Sequence, residues 1–210
     1  MVWTKQVKSS LNWVKFFLEE MIGPITRTWD LAAFTSAPDA LIMIVDASPW
    51  GMGGMLIDRG VPIAWFSTEV TTIDEKIHQQ KRGDHRGQQV WEALSILVAL
   101  NLWSDIWLPR KMTLTIRGDN KAALSIAAKL KVAKNSSLIG KEMAWIYTQA
   151  AFHPRYVQHV PGVTNVLADA LSRITDPTKK YKIPSELKHI AMSQAPLRTK
   201  EYYRTLSVET

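Results

Sequence analysis

A mixed α/β sheet with helices on its faces is the fold class this sequence predicts, and three observations carry it. Residues 40–68 hold three short apolar runs broken by turn signals, which read as an antiparallel meander. From Val90 onward, runs with helical spacing alternate with short apolar strands, the order that builds a sheet with helices packed on it. Two of those strands end on a carboxylate, Asp46 and Asp119.

The elements follow in order. Leu11, Val14, Phe17, Leu18, Met21 and Ile22 repeat at helical spacing behind Ser9 and Ser10, either of which suits an N-cap, and Gly23-Pro24 stops the run. This amphipathic helix over 10–22 needs a partner surface, and nothing in it suggests chemistry. A looser stretch leads to Leu41–Val45, five apolar residues that read as a buried strand closed by Asp46 and a glycine-rich turn. GMLID and PIAWFST are the next two strands, around the turn signal DRG. Residues 74–89 are polar and rich in cations, so they read as a loop or a solvated helix start. VWEALSILVALNLW is a strong helix and KMTLTIRGDN the fourth strand. Helices over 120–130 and 137–150 are joined by the basic KLKVAKNSS. RYVQHV is then a fifth strand, PG a turn and NVLADALSR the last helix. The order β-β-β-α-β-α-α-β-α implies a mixed sheet. From Ile174 the chain has three prolines, many charges and little apolar periodicity, which suits an extension that wraps the domain or stays mobile. The expected division is an N-terminal helical extension over 1–39, the α/β domain over 40–174, and a basic C-terminal extension over 175–210.

Composition narrows the function classes. At 210 residues the chain suits one sizeable domain with extensions, and 46% hydrophobic residues suffice for a core. The absence of cysteine excludes a disulfide framework and thiolate metal sites. Ala93–Leu100, broken only by Ser95, is too short to span a bilayer, and the N-terminus lacks the apolar core of a signal peptide. A soluble, intracellular protein is expected. The net charge of +7 suits a polyanionic partner, nucleic acid first and an acidic membrane surface second.

Four carboxylates stand out. Asp46 and Asp119 end apolar strands, where ligands gather in open α/β sheets. Glu92 shares a helical stripe with Gln88, Ser95 and Ala99, and Asp169 sits in the apolar setting VLADAL. Each also has a plain structural reading. A strand-terminal Asp forms turns or caps helices, and Asp119 is placed to cap the helix starting at Asn120. Glu92 and Asp169 could mark solvent faces.

Taken together, VDASPWGMGGML, WEALSILVAL, LTIRGDNKAAL and HVPGVTNVLADALSR resemble the ribonuclease H domain of retroelement reverse transcriptases. The final stretch is most like the LTR-retrotransposon form, and WGMGG is like the DIRS-type variant. The resemblance covers residues 40–174 and implies a ribonuclease H-like mixed five-stranded sheet with helices on both faces. It also implies that Asp46, Glu92, Asp119 and Asp169 bind two Mg²⁺ ions, with Mn²⁺ an alternative, and hydrolyse the RNA strand of an RNA–DNA hybrid. Clustered carboxylates repel one another, and hard cations with oxygen-only ligands remove the conflict. Two such ions about 3.5–4 Å apart serve an in-line displacement, activating water and stabilising the leaving 3′-oxygen. Asp46 would bridge both.

The resemblance also places His159 beside the metal site, in proton transfer at the leaving group or in product release. Gly51, Gly53 and Gly54 would let the backbone approach the 2′-hydroxyls across the minor groove, with a tight turn or bulge as their competing role. Asn120 matches a polar hybrid-contacting position, with helix capping as its competitor. Lys129, Lys131 and Lys134 occupy the place of a basic substrate-binding protrusion, and Lys76, Lys81, Arg82 and Arg86 form a second cluster. Trp50, Trp65, Trp91 and Trp145 could stack on bases or fill the core. His153 reads as a strand-edge or loop residue.

Related nucleases fit less well. A proofreading-type exonuclease would have a second acid where Ser48 stands, and transposases and integrases end with Glu where this chain has Asp169. In the resembled polyproteins a reverse transcriptase connection segment precedes this domain, and residues 10–22 fit its remnant. A polymerase domain or a larger assembly is thus an expected partner, although the chain itself carries no polymerase motif. The rival from another class is a non-catalytic nucleic-acid-binding or structural domain derived from a retroelement.

Overall fold

Alternation along β1 (Leu41–Ala47) sends Leu41, Met43 and Val45 into one core and Ile44 against another, so this strand is buried on both faces. A computed structural model of the chain describes residues 11, 15, 18, 19, 40–130, 136–152, 154 and 156–204. β1 pairs antiparallel with β2 (Gly51–Asp58), which pairs antiparallel with β3 (Val61–Glu69). On its other side β1 runs parallel to β4 (Leu114–Gly118), and β4 runs parallel to β5 (Tyr156–His159). The sheet order is β3-β2-β1-β4-β5, the expected mixed five-stranded architecture.

Helices cover both faces. They are α1 (Thr72–His78), α2 (Gln88–Leu102), the short α3 (Ser104–Trp107), α4 (Lys121–Lys129), α5 (Ser137–Ala150) and α6 (Val166–Ser172). Every residue of α2 from Val90 to Leu100 is buried, the mark of a central helix rather than a surface one. It joins α4 and α5 in the larger core, while α6 seats Ala168 and Leu171 against Met55 and Trp65 on the opposite face.

One expectation changes, and of the two readings of the C-terminal extension the wrapping one is found. Residues 74–89 are solvated only in part: Lys76, Gln79, Lys81, His85 and Arg86 are exposed, while Asp74, His78 and Gly87 are buried. Thr71 and Asp74 form a reciprocal capping box that starts α1, and both Asp74 and His78 are buried. The C-terminal extension wraps the domain. Met192 pairs with Trp65 on the edge strand β3, Ser193 N–H donates to Trp65 O at 2.8 Å, and Trp65 Nε1 donates to Ile190 O at 2.9 Å. This covers an edge that would otherwise offer free backbone groups for pairing.

Farther along, Arg198 is 1% exposed and gives Asp74 two hydrogen bonds, at 2.9 and 2.8 Å. Its guanidinium also donates to Glu69 O at 2.7 Å, and Tyr203 OH meets His78 Nε2 at 2.9 Å. Burial pushes the His78 imidazole down to about 4, so it is neutral at neutral pH.

Internal contacts divide the chain into Met1–Leu31 and Ala32–Thr210. Most of the helix expected over 10–22 lies outside the described residues. Within it Leu11, Lys15 and Leu18 are helical, and Lys15 pairs with Glu19 at 3.8 Å. Among the described residues no helix is long and apolar enough to cross a membrane.

Candidate active site

Asp46 is the sixth residue of β1 and only 3% exposed. A strand end normally turns such a side chain to water, but α6 crosses β1 and β2 and closes over it. Ser172 Oγ donates to Asp46 Oδ2 at 2.7 Å, and Asn165 Nδ2 donates to Val45 O at 3.2 Å and to Asp46 Oδ1 at 3.4 Å. Glu92, one turn into α2 and 4% exposed, accepts from Gln88 Nε2 at 3.0 Å; the same amide group also donates to Ala47 O. Asp119 follows β4 directly and is half-buried. One carboxylate oxygen from each of Asp46, Glu92 and Asp119 lies within 4.8 Å of the others.

Burial pushes the Asp46 carboxyl up to about 7. The charges of Asp119 and Asp169 act in the same sense, against the Ser172 hydrogen bond and the charge of Arg173. Burial, then Asp46 and Asp119, holds Glu92 well above the usual carboxylate range. An oxygen-only trio that resists its own ionisation suits a hard divalent cation. Gln88 Oε1 and Asn165 Oδ1 are buried acceptors without a hydrogen-bond partner, on the side chains that brace Glu92 and Asp46. Donors from a hydrated ion would satisfy them, so the residues present fit such a metal.

The fourth acid is turned elsewhere. Asp169 is not among the three converging carboxylates. Its Oδ1 pairs with Arg173 Nε at 2.7 Å, one helical turn on, and its side chain is 41% exposed. His159 ends β5, exposed, with Nε2 2.9 Å from the main-chain oxygen of Asp119. A carbonyl only accepts, so Nε2 carries a proton here. This bond ties His159 to the Asp119 backbone and not to any carboxylate.

The glycines make room for helix packing. Gly51 and Gly53 are buried under α6. A Cβ on Gly53 would lie 2.5 Å from Leu171 Cβ and from Ser172 N, and one on Gly51 would collide with Thr175 and Ser172. Their missing side chains admit the helix. Gly54 likewise packs against Phe66 and Val45. Asn120 takes the capping role: its Oδ1 accepts from the N–H groups of Ala122 and Ala123, both at 3.0 Å.

Lys129 ends α4, exposed, and shares with His159 a hollow of about 210 Å³. Lys131, Lys134 and His153 lie outside the described residues. In the second cluster Arg82 pairs with Glu75 at 4.0 Å and Arg86 with Asp84 at 2.7 Å, so two of its four cations already have acid partners. Trp91 and Trp65 are core residues, Trp50 stacks over Gly83, and Trp145 is partly exposed beneath Arg204. The residues that sequence reading missed are those that brace the acids, namely Ser172, Asn165 and Arg173. Gln88 was placed on the stripe of Glu92 but given no role.

No protein family matches the sequence, and neither does any curated protein. Among solved structures, RNase H1 from the halophilic archaeon Halobacterium salinarum NRC-1 is 17% identical, with a TM-score of 0.48 over 66% of this chain and 98% of its own. LC11-RNase H1, isolated from compost by a metagenomic approach, is 18% identical, with a TM-score of 0.48 over 65% of this chain and 95% of its own. A foamy viral protease-reverse transcriptase in complex with double-stranded DNA is 13% identical, with a TM-score of 0.32 over 93% of this chain and 29% of its own. The fold class rests on the topology itself. The order β3-β2-β1-β4-β5 with helices on both faces is a ribonuclease H-like α/β fold, and it carries a converging carboxylate trio.

Proposed function

We propose that the chain is the ribonuclease H part of a retroelement reverse transcriptase and hydrolyses the RNA strand of RNA–DNA hybrids with divalent metal ions. One observation carries the reading: Asp46, Glu92 and Asp119, far apart in sequence, bring carboxylate oxygens within 4.8 Å of one another. These three would hold the ions, Mg²⁺ or Mn²⁺, with Asp169 as the proposed fourth carboxylate. Such ions, when bound, supply charge stabilisation and an activated water.

The chain's own residues do the rest. Ser172 and Asn165 hold the Asp46 carboxylate in one orientation, Gln88 does the same for Glu92, and the rigid ends of β1 and β4 keep the acids in register. Arg173, one helical turn on, pairs with Asp169 and fixes its carboxylate. Lys129, with Lys131 and Lys134, would contact substrate phosphates. His159 is assigned to turnover rather than to the chemical step, so His159→Ala would slow steady-state cleavage more than single-turnover cleavage. In a natural assembly the partner would be a reverse transcriptase polymerase domain.

The test is a cleavage assay on an RNA–DNA hybrid, single-stranded RNA and duplex DNA, with and without Mg²⁺. Cleavage of the hybrid RNA alone, dependent on the metal and lost in Asp46→Asn, is expected. Equal activity of wild type and Asp46→Asn would sink the reading, and hybrid binding without cleavage would favour a non-catalytic module.

A further inference from the structure

We propose that the C-terminal extension adds a second contact for a nucleic-acid backbone at the rim of the acidic centre, made by Lys179, Lys180 and Lys182. The proposal rests on the nucleic-acid reading above and deepens it.

The extension leaves α6 directly after Ser172, the residue bonded to Asp46. Its base is anchored: Thr175 Oγ1 donates to Trp50 O at 3.2 Å, in the turn after β1, and Ile174 packs on the smaller core. Asp176 Oδ1 then accepts from Thr178 N–H at 2.8 Å and Thr178 Oγ1 at 2.7 Å, with Pro177 between them, so the chain turns back sharply. The return carries Lys179–Lys182 around a hollow of about 620 Å³ whose other wall is Ile174 and Asp176. Half-buried Tyr181 sets its hydroxyl beside the Arg173 guanidinium, the partner of Asp169.

An exposed lysine run is usually only a solvated face. Three features separate this one. Its base and turn are held by the contacts above. Lys179, Lys180 and Lys182 are exposed and make no ion pair among the described residues, Asp176 being the one acid in the stretch from Asp176 to Lys182. In the sheet order, moreover, the loop leaves on the β2 side of Asp46 while Lys129 lies on the β5 side of Asp119. A polyanion approaching converging carboxylates needs compensating positive charge at the rim, and the loop lysines and Lys129 lie on opposite sides of the acids.

The test is fluorescence anisotropy of a short labelled RNA–DNA hybrid bound to the full chain in EDTA, titrated with KCl. Each lost phosphate contact lowers the slope of log affinity against log salt by about 0.9, so Lys180→Ala/Lys182→Ala should bind more weakly and lose about 1.8 from the slope. Lys180→Arg/Lys182→Arg should keep it. The pair Lys141→Ala/Lys200→Ala removes the same charge elsewhere and should leave the slope unchanged. Steep wild-type binding with an unaltered slope in Lys180→Ala/Lys182→Ala would overturn the loop's role and leave the nucleic-acid reading standing. An equal drop in both alanine pairs would also overturn it, by showing only net charge. A wild type that binds no hybrid at any salt would overturn both readings.

Discussion

Burial determines how Asp46 behaves before any ligand arrives. Its carboxyl titrates near 7 in the folded chain against an ordinary value of 3.8. Between those values the folded state holds a proton that the unfolded chain has released, so this group's stabilising effect is lost as pH rises through the window. Glu92 is shifted in the same direction. His78 works oppositely: held down to about 4 from 6.5, its contribution is present above 6.5 and lost as pH falls toward 4. Asp46 is therefore isolated by comparing wild type with Asp46→Asn. In EDTA the wild type should lose melting temperature relative to the variant from pH 5 to 8, each pKa unit being worth about 1.4 kcal/mol. Added Mg²⁺ should restore the wild type and leave the variant largely unmoved. Parallel melting curves across that range would refute the assignment.

The closeness of α6 and β2 explains how the brace on Asp46 is set. Gly53→Ala would place a methyl 2.5 Å from Leu171 Cβ and Ser172 N, so the helix must lift. Overpacking of this kind costs about 1–3 kcal/mol, and it should also weaken divalent binding measured by calorimetry, because Ser172 moves off Asp46. Gly60→Ala is the contrast. Nothing lies within 4 Å of that position, but its φ of +83° is left-handed, so a loss of about 1 kcal/mol with unchanged metal affinity is expected. Elements like these were legible in the sequence because their signals are local. Leu41–Val45, Val90–Trp103 and Leu114–Gly118 carry their own periods, and all three acids of the trio stand on elements so identified. The braces were not legible. Ser172 meets Asp46 across 126 residues and Asn165 meets it across 119, and a pairing at that separation leaves no local pattern. Asp74 misled for the same reason: its partner Arg198 is 124 residues away, so a buried acid read as a solvated one.

Across the whole molecule the C-terminal extension is part of the fold rather than an appendage. Arg198 lies buried with both of its Asp74 bonds made, and removing one partner of such a pair strands a charge in the interior. Arg198→Met should therefore cost about 3–5 kcal/mol, read by chemical denaturation. Asp74→Asn/Arg198→Met should lose less than the sum of the single changes, and strict additivity would show that the two residues act independently. The strap also imposes an order in time. Among the described residues the strands, the α-helices and the converging acids are complete by Ser172, yet Leu187, Arg198 and Tyr203, buried to 0–1% exposure, come later in the chain. During synthesis at about 5–20 residues per second, the edge of β3 stands bare until Ile190, Met192 and Ser193 clear the ribosome. The nascent protein thus has its converging carboxylates within reach while its sheet edge is still open to mispairing with its neighbours.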